Sequence, residues 1–129
     1  MTVINGAIHV HLATGVVDCG QVVHPDLVAA QLEGGIIFGM AAGLMDAITV
    51  KDGRVEQSNF TDFPMPLMAD APEFEIVHMP STQPSGGIGE VSVGPTAPAI
   101  ANAIYEAIGV RITDLPISPE KILRALDKL

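Results

Sequence analysis

Apolar and polar residues alternate over two separate stretches of the chain. From Ala7 to Leu12, Ile8, Val10 and Leu12 are interleaved with His9 and His11, and an extended pattern resumes from Gly15 to Cys19 after a break at Ala13-Thr14. Alternation of period two predicts half-buried strands, here expected to pair with each other. The period returns from Glu73 to Met79, with Phe74, Ile76 and His78 set against Glu73, Glu75, Val77 and Met79. Ala47 to Gln57 reads as a hairpin, because Asp52-Gly53 supplies residues that tolerate the positive φ of a tight turn.

The period then changes. Asp26 to Met45 is too long for a strand and apolar on nearly every side, which predicts a buried helix. Gly35, Gly39 and Gly43 recur every fourth residue and share one helix face. Glycine costs a helix about 1 kcal/mol relative to alanine, so the stripe predicts close approach of another backbone or a ligand. A second helix is predicted from Pro95 to Gly109. A third is predicted after Ser118 as N-cap and Pro119 as first residue, with Arg124 and Lys128 toward its end. Strands and helices mixed without regular βαβ alternation predict an α+β fold. Helices Asp26–Met45 and Pro95–Gly109 should cover one face of a small mixed sheet made from Ala7–Cys19, Ala47–Gln57 and Glu73–Met79.

Composition narrows the classes. The 129 residues suit a single domain over 1–129, and 48% hydrophobic against 16% charged residues is too apolar for a disordered tail despite a net charge of −9. Six Lys and Arg against 15 Asp and Glu, one Tyr and no Trp argue against a nucleic-acid partner. The longest apolar run, Gly34 to Met45, is shorter than the roughly 18–20 residues a bilayer requires, so no membrane span is expected. With Cys19 alone, no internal disulfide or thiolate zinc site can form. Large aromatics are scarce, which predicts close backbone packing and an apolar surface that meets another chain.

The chemistry concentrates in the loop from Pro80 to Gly94. Gly89 and Gly94 have the outer spacing of a phosphate loop, but Pro95 stands where its lysine belongs. Gly87-Ile88-Gly89 starts a dinucleotide fingerprint that Ser92 breaks. Neither Ser85 nor Ser92 has the neighbours of a serine-hydrolase elbow. A glycine loop that enters a helix nevertheless presents backbone N–H groups to an anion or polar cofactor. Within it, Glu90 reads either as a surface carboxylate or as a desolvated general base. Glu33 reads either as a satisfied core or helix-edge polar residue paired with Gln31 or as a ligand, Cys19 as a small buried residue. His9, His11, His24 and His78 would form a metal site only if the fold added a ligand.

Four stretches together carry a resemblance. They are Val17-Asp18-Cys19-Gly20-Gln21-Val22-Val23-His24-Pro25-Asp26, Gln31-Leu32-Glu33-Gly34-Gly35-Ile36-Ile37-Phe38-Gly39, Gln57 to Pro64, and Gly86-Gly87-Ile88-Gly89-Glu90 with Ala97 to Ile104. In order and spacing the chain resembles the C-terminal portion of the molybdopterin-binding subunit of the xanthine dehydrogenase and aldehyde oxidase family, of the isoquinoline 1-oxidoreductase beta-subunit type. The resemblance implies a molybdenum-pterin cofactor in the complete enzyme and an oxidoreductase that hydroxylates an aldehyde or N-heterocycle. Glu90 matches the family's general-base glutamate, while Gln31 and the backbone of Gly87, Ile88 and Gly89 match cofactor contacts. The implied partners are the remaining part of the subunit and an iron-sulfur small subunit, with the isolated chain inactive and prone to self-association. Val91 departs from the proline that many relatives carry after the glutamate. A module that kept the fold without the chemistry is the alternative.

Overall fold

The computed structural model describes residues 1–127; Lys128, placed by sequence in the last helix, lies outside the described residues. The chain begins with a hairpin. Asn5 and Gly6 take φ of 51° and 82°, and they turn β1 (Thr2–Ile4) back onto β2 (Ala7–His9), antiparallel with Thr2 opposite His9. β3 (Leu12–Val17) leaves this ladder and pairs in parallel with a strand 61 residues further on, Glu73–His78, with Leu12 opposite Glu73 and Val17 opposite His78. That later strand is β6. Between them the Asp52-Gly53 turn closes the hairpin of β4 (Val50–Lys51) and β5 (Arg54–Val55), and both turn residues have positive φ.

The α+β class therefore stands, with its strands distributed over three two-stranded ladders instead of one sheet. Ala13-Thr14 is no break but the interior of β3, and β2 and β3 belong to different ladders. Alternation identifies a half-buried strand without naming its partner, and here the partner lies far along the chain. The face predicted for the later strand holds, with Phe74, Ile76 and His78 half-buried and Glu73, Glu75 and Val77 exposed, but Leu12, read on the apolar face with Ile8 and Val10, is exposed, because β3 turns Ala13, Gly15 and Val17 inward beside β6.

α1 spans Pro25–Leu44, and its N-cap is His24, whose Nδ1 accepts from the Leu27 N–H at 3.3 Å. α2 spans Val93–Ile108 and stops on Gly109 at φ 72°, the left-handed C-cap that glycine favours. It begins two residues before the predicted Pro95. Proline is harmless anywhere in a first turn, where the N–H groups have no helical partner, so it did not mark the first position. α3 (Pro119–Ala125) starts as predicted, with the Ser118 hydroxyl accepting from the Lys121 N–H.

By length and composition α1 could cross a bilayer, yet 44% of its most apolar window is buried inside the fold. It is a core helix. Ile36 and Met40 of α1 meet Ile100 and Ile104 of α2, and Ile112, Ile117 and Ile122 close the cluster. Phe74 and Ile76 of β6 pack against it from the ladder side. Ile104 is wholly buried, so Ile104→Ala is expected to lower stability by about 2–5 kcal/mol, read as a fall in denaturation midpoint at constant m. An unchanged midpoint would contradict this core assignment.

Large apolar side chains also stand in solvent, among them Phe38, Val23, Phe60, Leu67 and Met68.

Candidate functional site

The loop between β6 and α2 is fastened at both ends. At its near end the Gln21 N–H donates to the Gln83 carbonyl at 2.9 Å, the Ser85 hydroxyl donates to the Gln21 carbonyl, and the Gly86 N–H donates to the Cys19 carbonyl at 2.8 Å. The receiving turn is itself held by Asp18, whose carboxylate accepts from the Gly20 N–H at 3.0 Å. Gly20 has φ of 74°, and a Cβ there would collide with the Pro84 carbonyl. Any larger residue would push the loop off its seat.

The far end is set into α1. Ser92 is buried and its hydroxyl donates to the Leu32 carbonyl at 3.0 Å. Thr96, also buried, donates to the Ser92 carbonyl at 2.7 Å. The glycine stripe makes this approach possible. A Cβ on Gly35 would overlap the Ser92 hydroxyl, one on Gly39 would lie 2.6 Å from both the Val93 carbonyl oxygen and the Thr96 Cβ, and one on Gly43 would sit 3.3 Å from the Ala97 Cβ. The close approach predicted from spacing is thus made by the first turns of α2.

Between the two fastenings the loop is open. Built Cβ atoms on Gly87 and Gly89 meet nothing within 4 Å, Ile88 is half-buried, and Glu90 and Val91 are exposed. Among the described residues, no hydrogen bond engages the N–H groups of Gly87 to Glu90 or the Glu90 carboxylate. Gln31 is exposed on α1 immediately before Leu32, the residue that receives Ser92. The structure therefore brings the Gln31 turn and the Glu90 loop to one junction. It leaves the Glu90 carboxylate exposed, and among the described residues no hydrogen-bond partner covers it.

The histidines do not converge. His24 caps α1, His11 shares a hydrogen bond with Thr2 at 3.0 Å, and His78 keeps a buried Nε2 without a partner. Among the described residues no three His, Cys, Asp or Glu side chains could hold a metal ion. Cys19 is half-buried rather than buried, and its carbonyl rather than its thiol serves the loop. Glu33 is half-buried on α1.

Two features escaped the sequence reading. A cavity of about 580 Å3 opens beside Val91 and Ser92 and runs between β3, Leu32 and Ile36 of α1, and Ala99 of α2. No periodicity marks it, because it forms where three elements meet. The second is the turn at Ser58 to Asp62. The Asp62 carboxylate accepts from the N–H groups of Ser58 and Asn59 at 3.0 and 2.9 Å. The Ser58 N–H, followed by that of Asn59, holds this carboxyl below its ordinary range. A depressed folded pKa means that the turn's contribution is present at neutral pH and is lost as pH falls through the acid range below about 4. Amide exchange at Ser58 and Asn59 should accelerate there beyond its intrinsic pH dependence, and a purely intrinsic profile would contradict the assignment.

The chain has counterparts among known proteins. The molybdopterin cofactor-binding domain family matches residues 2–72. The chain is 38% identical over 103 residues to isoquinoline 1-oxidoreductase subunit beta of Brevundimonas diminuta, covering 80% of this chain and 13% of that one. It is 36% identical over 128 residues to the membrane-bound aldehyde dehydrogenase (pyrroloquinoline-quinone) of Gluconacetobacter polyoxogenes, covering 92% of this chain and 17% of the other. Its fold superposes on quinoline 2-oxidoreductase from Pseudomonas putida 86 with a TM-score of 0.87 and 27% identity, over 95% of this chain and 17% of that chain. The chain thus spans less than a fifth of the length of these relatives. With that match over more than half its length, the chain belongs to the molybdopterin cofactor-binding domain family and is homologous to a part of the molybdenum-binding subunits of the xanthine dehydrogenase and aldehyde oxidase type.

Proposed function

We propose that the chain supplies one wall of a molybdenum-pterin site in an oxidoreductase acting on an aldehyde or an N-heterocycle, with Glu90 as its general base. One observation carries this reading: the loop Gly86 to Ser92 is fixed at both ends while its middle is left open, with N–H groups of Gly87, Ile88 and Gly89 free of partners among the described residues. Such a backbone arch fits a polar, anionic group, because N–H donors can reach it with no side chain in the way. Gln31 adds an exposed amide at the same junction. When bound, the molybdenum-pterin group would supply the two-electron redox chemistry that no side chain of this chain can perform.

The residues of the chain do the rest. Gln31 and the Gly87 to Gly89 backbone orient the group, and a carboxylate oxygen of Glu90 takes the proton released as the substrate carbon is attacked. Glu90 is exposed here, so the water exclusion that would raise its basicity must come from the remaining part of the subunit and from substrate. An iron-sulfur small subunit would carry the electrons away. The exposed Val23, Phe38, Phe60, Leu67 and Met68 fit a chain that meets such partners. Isolated, it should self-associate, seen as a mass that rises with concentration in sedimentation equilibrium; a clean monomer at high concentration would count against that.

The exposure of Glu90 also favours a second reading, a binding or assembly module that kept the fold and lost the chemistry. Dye-linked oxidation of an aldehyde and an N-heterocycle, assayed in native extract before and after removal of this chain with its bound partners, tests membership of the oxidising assembly, and Glu90→Gln in that assembly separates the two readings. Loss of oxidation together with iron-sulfur absorption in the removed material is expected. Full activity left behind would overturn the catalytic reading.

A further inference from the structure

Ser92 stands where α2 needs an N-cap and does not act as one. Its backbone is at φ −88° and ψ −16°, and its side chain makes no bond to its own helix. A capping serine is normally extended and accepts from the second or third helical N–H. Here the hydroxyl donates across 60 residues to the Leu32 carbonyl, in the notch left by the missing side chain of Gly35. Leu32 follows Gln31. Ser92 follows Glu90 by two residues, and the turn between them is closed by the Val93 N–H donating to the Glu90 carbonyl at 3.1 Å. A single buried hydrogen bond thus joins the helical turn that carries Gln31 to the loop turn that carries Glu90.

We propose that Ser92 is a positioning residue, whose bond to Leu32 in the Gly35 notch sets where Glu90 stands relative to Gln31. This rests on the reading of Glu90 as general base. The other end of the arch is held at Gly86 by Cys19, so the Ser92 tie fixes its span; without that tie the Glu90 turn can swing while Gly86 stays seated. Misplacement by about 1 Å is enough to cost up to about 100-fold in rate, and loss of one of two fastenings is expected to cost roughly a tenth of that effect.

Two variants of the full chain in its molybdenum-loaded assembly test the idea. Ser92→Ala removes the hydroxyl, and Gly35→Ala keeps it but fills the notch. In each, amide exchange at Val93 should accelerate about 10-fold while Ile104 keeps the parent rate, and kcat should fall about 10-fold with KM within about twofold. In a Glu90→Gln background Ser92→Ala should add no further loss, because there is no base left to place. Unchanged Val93 exchange in both variants, or the same fractional loss of kcat with and without Glu90, would overturn the proposal. If Ser92→Ala also loosens Ile104, the Gly35→Ala readouts decide. A Glu90→Gln protein with full turnover would sink the general-base reading alone, since Val93 exchange is read without turnover.

Discussion

Glu90→Gln should lower turnover of the molybdenum-loaded assembly by at least about 100-fold, the low end of what general-base catalysis contributes and about 2.7 kcal/mol of barrier. The substitution is close to isosteric and removes only the capacity to take a proton. Nothing in the described chain depends on the Glu90 carboxylate: it is exposed, and the contact that holds its turn is made by its backbone carbonyl to Val93. Fold, cofactor content and the Gln31 junction should therefore survive. The loss belongs in kcat and in kcat/KM together, with KM little changed, because a group that acts only as the proton moves does not hold substrate. Less than a 100-fold loss at matched molybdenum and pterin content would mean that the proton leaves by another route.

Two glycines of α1, Gly39 and Gly34, should respond to the same substitution with opposite signs. Gly39→Ala places a Cβ 2.6 Å from the Val93 carbonyl oxygen, which is backbone and cannot rotate away, and 2.6 Å from the Thr96 Cβ. The helices must separate, and the expected loss is about 1–3 kcal/mol despite alanine's better helix propensity. Gly34→Ala meets nothing within 4 Å, so only the propensity term acts and stability should rise by up to about 1 kcal/mol. Thermal denaturation of the two variants beside the parent gives the signs directly. Two shifts in the same direction would mean that the α1–α2 contact is not set by the glycine face.

Why that face was legible in sequence is a matter of cost. A glycine is unfavourable in a helix interior, so three of them at a spacing of four ask for a reason, and the first turns of α2 are that reason. The Asp52-Gly53 turn, the Gly109 stop and the Ser118 cap were legible for a related cause: each follows from the φ or the hydrogen bond that one residue type supplies locally. The same signal was present at Asn5-Gly6, which turns β1 onto β2, but the short strand before it carries too few residues to show a period. Pairing of β3 with β6 was out of reach, because alternation fixes the face of a strand and not its partner. The site divides in the same way. Gly87, Gly89, Glu90 and Gln31 could be named as candidates from motif order, whereas the bond of Ser92 to Leu32 could not, since a serine ahead of a helix looks like a cap whether or not its hydroxyl points elsewhere. The environment of Glu90 was not legible, because a carboxylate beside an apolar run can be either exposed or covered; in the fold it is exposed.

Molybdenum and pterin content, measured on the protein carrying this chain purified from its native source with whatever it holds, tests the account at its centre. The reading of the Gly86 to Ser92 arch and Gln31 as one wall of a molybdenum-pterin site predicts metal and pterin in equal molar amounts to the chain. Neither metal nor pterin, or pyrroloquinoline quinone in their place as the name of the Gluconacetobacter relative has it, would contradict it.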